Sequence, residues 1–169
     1  SCTASALCIA AFSAIMLTDK DLLFGERTNK LSLLADQKDW EGIIAEVPYD
    51  EAVKSKILTD YVLLAMSATD NLPQVLFSYP LSSPEDFLYR HDKRTFYTNF
   101  NRQFYDNIGI WDEAFHQAFE YGVTQRENEC FRSLRFKIDY ALNSCDLGVA
   151  RSYLELLQKS VCNGDFVKE

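Results

Sequence analysis

Residues that break regular structure are scarce in this chain. Its 169 residues include 6 Gly and 4 Pro. Such long uninterrupted stretches exclude the many short strands and turns of a sandwich or barrel. Basic charge is also in short supply, since 17 Lys and Arg stand against 25 Asp and Glu for a net charge of −8. Phosphate binding needs a surplus of cations, so nucleic acid is excluded as a partner. An anionic membrane surface repels the chain for the same reason. The densest basic run, Arg90-His91-Asp92-Lys93-Arg94, reads as a solvated loop.

Metal-binding and catalytic signatures are missing as well. Two histidines, His91 and His116, have no Cys or His partner at ligand spacing, and no two cysteines form a CxxC. No metal or cofactor is therefore expected. The five cysteines Cys2, Cys8, Cys130, Cys145 and Cys162 fit buried free thiols. They also fit one disulfide among Cys130, Cys145 and Cys162 in an oxidising compartment. There is no phosphate-binding glycine loop, no GxGxxG, no HExxH and no GxSxG elbow. The adjacent carboxylates Asp112 and Glu113 stand at a predicted helix start, where they complement the helix dipole. The chain is expected to be non-catalytic.

What the sequence does contain is a recurring local pattern, a turn followed by a bulky apolar residue and then a small one. It appears at Lys38-Asp39-Trp40-Glu41-Gly42, at Gly109-Ile110-Trp111-Asp112-Glu113-Ala114 and at Cys145-Asp146-Leu147-Gly148-Val149-Ala150. Ala114 and Ala150 are 36 residues apart, and Gly42 and Ala114 are 72 apart, twice that interval. A further copy is expected near residue 78, close to Asn71-Leu72-Pro73-Gln74-Val75-Leu76-Phe77, with Pro73 suited to a first helical turn. A period of this size belongs to helix–turn–helix repeats. The small residue is expected to let paired helices approach closely.

Helical spacing surrounds these turns. Phe131, Leu134, Ile138, Ala141, Leu142 and Cys145 form one stripe, and Leu147, Ala150, Leu154, Leu157 and Val161 form its partner. Trp111, Phe115, Ala118 and Phe119 are expected to face Tyr97, Phe100, Phe104 and Ile108. The spacing predicts helices over 20–36, 39–47, 50–68, 72–78, 95–107, 111–122, 127–144 and 147–161. Tyr79 to Arg94 is the one long loop, with Ser82 and Ser83 placed to cap a short turn. The predicted fold is all-α, an antiparallel helix-pair, tetratricopeptide-like repeat array of about four pairs. It would occupy residues 19–169 as one domain.

Residues 2–17, CTASALCIAAFSAIML, are uncharged and lack Gly and Pro. The run is short of the roughly 20 apolar residues of a membrane span and lacks the basic flank of a signal peptide. Its residues suit a helix packed on the first repeat, or the last turns of a membrane helix. Residues 18–41 carry six acids and four bases, so no positive-inside signal places the downstream region in the cytoplasm.

Aromatics concentrate between Phe87 and Tyr121, with eleven in 35 residues. Most of them suit the core between helix pairs, but Phe96, Phe100 and Tyr105 stand at different angles around one helix, so not all can face inward. Aromatics and Arg are enriched at interfaces. Tyr89, Phe96, Arg102 and Tyr105 are therefore the candidate partner-binding residues, lining a groove for a peptide or partner domain.

Further residues carry a resemblance to a known family. They are Trp40 with Ile43 and Ile44, the helix from Tyr61 to Ala68, Asn71-Leu72 and Leu76-Phe77-Ser78-Tyr79. Asn107-Ile108-Gly109, Ala118-Phe119-Glu120 and Ala150 to Lys159 complete the set. Across residues 22 to 161 the chain resembles the soluble C-terminal region of an uncharacterised Bacteroidetes membrane-protein family, a domain of unknown function. In that family a multi-span membrane portion precedes a tetratricopeptide-like tail. The resemblance implies that residues 1–18 end a membrane helix. It also implies a bacterial, membrane-associated protein, and the missing positive-inside signal in residues 18–41 favours the non-cytoplasmic side for this region. Its motifs are packing motifs and carry over no catalytic residues; the aromatic 95–121 region departs from the family pattern. The expected function is a non-catalytic interaction module binding a protein or peptide. The alternative is a structural or assembly element of a larger membrane enzyme or transporter.

Overall fold

A computed structural model describes residues 20–81, 88–89, 95–124 and 131–159. Among these residues the chain is all-helical and has no strand. Helix α1 spans Lys20–Asp36, α2 Trp40–Glu46, α3 Tyr49–Ala52 and α4 Lys56–Ala68. Helix α5, Leu72–Val75, is a single turn continued by a 3-10 turn at Leu76–Ser78. Then come α6 (Thr95–Asn107), α7 (Trp111–Thr124), α8 (Phe131–Asn143) and α9 (Leu147–Gln158). The apolar run at 1–18, the basic run at 90–94, Ser82 to Asp86, Val161 and four of the five cysteines lie outside the described residues. Two compact units, residues 1–65 and 66–169, make up the chain.

One backbone device recurs at four helix ends. Lys38, Asp70, Gly109 and Cys145 each adopt a left-handed conformation, with φ of 57°, 59°, 77° and 57°. At each, the following N–H reaches back five residues: Asp39 to Leu34, Asn71 to Met66, Ile110 to Tyr105 and Asp146 to Ala141, at 2.8–2.9 Å. The left-handed residue's own N–H bonds three residues back, to Ala35, Ser67, Asp106 and Leu142. This is the Schellman closure, which satisfies carbonyls that a helix end would otherwise leave open. At two of the four the next residue then caps the following helix with its side chain. Asp39 accepts from Gly42 N–H at 2.9 Å and Asp146 from Val149 N–H at 3.1 Å. Across three of these closures the flanking helices pack on each other, α1 on α2, α6 on α7 and α8 on α9.

The predicted turns fall at these positions, but the period is not a strict 36. The left-handed residues stand 32, 39 and 36 residues apart. Turn register also realigns the pattern, because Ile43, Ala114 and Ala150 are the equivalent fourth residues, all buried. Gly42 is small for a different reason than helix–helix approach. A Cβ there would meet Asp39 Oδ2 at 2.5 Å, so glycine leaves room for the capping carboxylate.

Two predicted helices are broken. The 50–68 segment divides at Val53-Lys54-Ser55, where Lys54 and Ser55 N–H bond to Glu51 and Ala52 three residues back. Ser55 then accepts Thr59 N–H, while Thr59 Oγ1 donates to Ala52 O at 2.7 Å inside the protein. Residues 72–78 tighten into the 3-10 turn after one α-helical turn that carries Pro73 at its second position. In the first unit, Arg27 ties α1 to α2 and α3 by donating to Glu46 O at 2.8 Å and pairing with Glu51. Lys30 pairs with Glu46 at 2.5 Å.

In the second unit α7 packs between α6 and α8. Ala114 and Ala118 are fully buried there, and Ser133 Oγ donates to Ala118 O at 2.8 Å. Phe115 and Phe119 do not face α6 as expected. Phe115 stacks on Tyr140 at 4.4 Å, and Lys137 lies 5.1 Å from the Phe119 ring. A position four residues on shares a helix face, so both rings turn toward α8 together. Leu134, Ile138 and Leu157 form the α8–α9 core with Phe131, Tyr153 and Leu154 around it. The ends of the predicted stripes, Leu142, Cys145 and Leu147, are exposed because the turn ends the helical periodicity.

Candidate functional site

Helix α6 is unusual in what it buries. Thr98, Asn99, Phe100, Asn101, Arg102 and Gln103 are six consecutive buried residues, and only Phe100 is apolar. Buried polar groups are stable only when hydrogen-bonded, and here partners are supplied. Asn101 Oδ1 accepts Tyr89 N–H at 3.1 Å, and its Nδ2 donates to Tyr89 O at 3.3 Å and Gln117 Oε1 at 3.4 Å. Gln117 Nε2 donates in turn to Glu113 Oε1 at 3.1 Å. Glu113 thus steadies an amide network as well as standing in the first turn of α7.

The four candidate residues meet different fates. Tyr89 is half-buried, with its ring stacked on Tyr97 at 4.0 Å and edge-on to Phe100 at 5.8 Å. Phe96 is half-buried and tilts against Tyr97 at 4.1 Å. Tyr105 is half-buried, edge-on to Phe104 at 5.7 Å. Arg102 is only 5% exposed. Its Nε donates to Asn99 Oδ1 at 3.0 Å, and its guanidinium lies 5.1 Å from the Phe136 ring. It serves packing between α6 and α8 and does not stand at an open surface. The structure therefore brings Tyr89 onto α6 through Tyr97 and Phe100, and sends Arg102 to another side of that helix.

A second surface was not anticipated. Tyr140 donates from its hydroxyl to Asp112 Oδ1 at 2.5 Å, which sets the end of α8 beside the start of α7. The 108–110 and 144–146 turns consequently lie at one end of the second unit. Ile108, Ile110 and Trp111 from the first turn are about half exposed, and Leu142 and Leu147 from the second are 47% and 69% exposed. Their apolar character is legible in the sequence, where the spacing places Ile108, Trp111, Leu142 and Leu147 in stripes facing inward.

Electrostatics at this end follow from the same packing. Partial burial pushes the Asp139 carboxyl above its ordinary value, Arg135 pulls it back, and the Asp106 charge pushes it up again. Donation to Asp112 raises the Tyr140 phenol, with desolvation adding to it. His116 is exposed, and Asp112 is engaged by Tyr140. Among the described residues no group of His, Cys, Asp and Glu is arranged to hold a metal. Cys145 is a free, exposed thiol, and Cys130 and Cys162 lie outside the described residues.

The sequence model of a family of unknown function, DUF6057, matches residues 6–169. The chain belongs to that family. Membership agrees with the resemblance to a domain of unknown function and adds no assigned residue. No curated protein and no solved structure matches the chain. No helix among the described residues is long and apolar enough to cross a membrane.

Proposed function

We propose that this member of the family is a non-catalytic, tetratricopeptide-like interaction module that binds a protein or peptide partner. The observation that carries the reading is the exposure of five large apolar side chains in and beside the two turns of the second unit, Ile108, Ile110, Trp111, Leu142 and Leu147. Large exposed apolar side chains in number mark interaction sites, and Trp is among the residue types enriched at their centres. The repeat reading draws support from four helix ends closed by the same hydrogen-bond pattern. Stacked helix pairs present extended binding surfaces.

The module is attached to a bacterial membrane through residues 1–18, on the non-cytoplasmic side. That part of the proposal rests on the uncharged run at 2–17 and on the absence of a basic flank after it. Two measurements test the whole. Affinity capture with the wild-type chain is compared with capture by Trp111→Asp/Leu147→Asp, each shown to be helical by circular dichroism. The proposal expects a defined partner to be lost with the double variant, and an unchanged set of recovered proteins overturns it. Membrane fractionation of the chain with and without residues 1–18 tests attachment. Equal recovery of both forms in the soluble fraction overturns the anchor.

A further inference from the structure

One contact in the second unit has the form of peptide recognition rather than of loop packing. Tyr89 lies outside any helix, yet both of its backbone groups are taken by one side chain, the carboxamide of Asn101. That side chain is buried, and its orientation is fixed by Gln117, itself held by Glu113. A carboxamide presents one acceptor and two donors, so it matches the N–H and C=O of any peptide residue without reading its side chain. Selection then comes from the ring. Tyr97 stacks on Tyr89 with planes 15° apart, while Phe100 offers its ring at 90°. Both geometries are favoured for aromatic pairs, which gain stabilisation beyond the area they bury.

We propose that this face of α6 and α7 is a binding site for a tyrosine within a peptide, and that Tyr89 occupies it as an internal ligand. The proposal deepens the interaction reading above and rests on it, with a partner peptide's tyrosine exchanging for Tyr89. Exchange replaces the two Asn101 hydrogen bonds and the Tyr97 and Phe100 ring contacts with equivalent ones. The internal tyrosine has the advantage of tethering, equivalent to an effective concentration on the order of millimolar. It therefore sets a threshold that a partner must exceed.

The test uses the full chain and N-acetyl-L-tyrosinamide, which carries the amide, the carbonyl and the phenol ring in one molecule. In Tyr89→Gly the ring site is vacated, and the probe is expected to shift the Asn101 side-chain amide resonances and raise the melting temperature. Wild type is expected to bind it at least about 10-fold more weakly because its own tyrosine competes. N-acetyl-L-alaninamide should have no effect on either protein, and Asn101→Ala in the Tyr89→Gly background should abolish the response. A helical Tyr89→Gly protein that ignores the probe at ~50 mM, well above a millimolar dissociation constant, overturns the site. So does equal binding with Asn101→Ala. Should Tyr89→Gly fail to fold, Tyr89→Leu keeps apolar bulk without the stack and is read by the same criteria. Loss of partner capture in Trp111→Asp/Leu147→Asp alongside a silent probe would overturn this site alone and leave the interaction module standing.

Discussion

Helices α4 and α6 are each thirteen residues long and each buries an unbroken central run, but with opposite chemistry. In α4, residues Ile57 to Ala65 are all buried, and Thr59 and Asp60 are the two polar residues among them. In α6 the buried run from Thr98 to Gln103 is polar except for Phe100. Burial of apolar surface needs no partner of a particular kind, whereas each buried amide needs a partner in place. Helix α4 is therefore held by packing, and α6 by a specified set of hydrogen bonds. Packing tolerates approximate shapes, while a hydrogen-bonded network fails when one member is lost. That difference explains why α6, and not α4, carries a contact able to discriminate between ligands.

Four measurements would break or sharpen this contrast. The largest effect is expected for Leu63→Ala in α4, a fully buried site, at about 3 kcal/mol of lost stability in denaturant unfolding. Asn101→Leu in α6 comes next, at about 2 kcal/mol, because it strands the Tyr89 N–H and C=O. A neutral or stabilising Asn101→Leu would mean that α6 is held by burial alone, and the contrast would collapse.

A smaller change is expected at the turns, which lie outside both buried runs. Cys145→Gly should raise stability by about 1 kcal/mol, since Cys145 holds φ at 57° where a side chain is strained. A thermal melt that moves down would contradict that account of the turn.

The smallest effect is electrostatic. The Asp139 carboxyl is raised in the folded protein, so its contribution favours folding below its ordinary value of 3.8 and is lost as pH rises through the folded value. Asp139→Asn should thus be slightly more stable than wild type at neutral pH, with the gap closing as pH falls toward 3.8. A gap that widens in acid would reverse the sign and place Asp139 among the stabilising carboxylates.

Much of the helical map was legible because helical periodicity and turn chemistry are local. Trp40, Trp111 and Leu147 each follow a turn at the position where the next helix begins, and that recurrence located three of the four closures. The break at Val53 to Ser55 was missed although Ser55 is a good capping residue, because the apolar spacing runs on through it. Around the site, the aromatic concentration pointed to α6, but Asn101 and Gln117 were overlooked. A signal was present, since Thr98, Asn99 and Asn101 are weak helix formers clustered inside one helix. Local propensity marks such residues as out of place without naming their partners.

By itself, then, the sequence determined an acidic, all-α chain, with its helix ends and the residues that cap them, because each depends on neighbours within a turn or two. The tertiary structure decided which side of α6 meets which neighbour. It buried Arg102 against Phe136, set Tyr89 on the Asn101 carboxamide, and left Trp111 and Leu147 in solvent. Those outcomes depend on helices brought together across dozens of residues, and a helix with apolar or aromatic residues at several angles does not specify from within which of them will be covered.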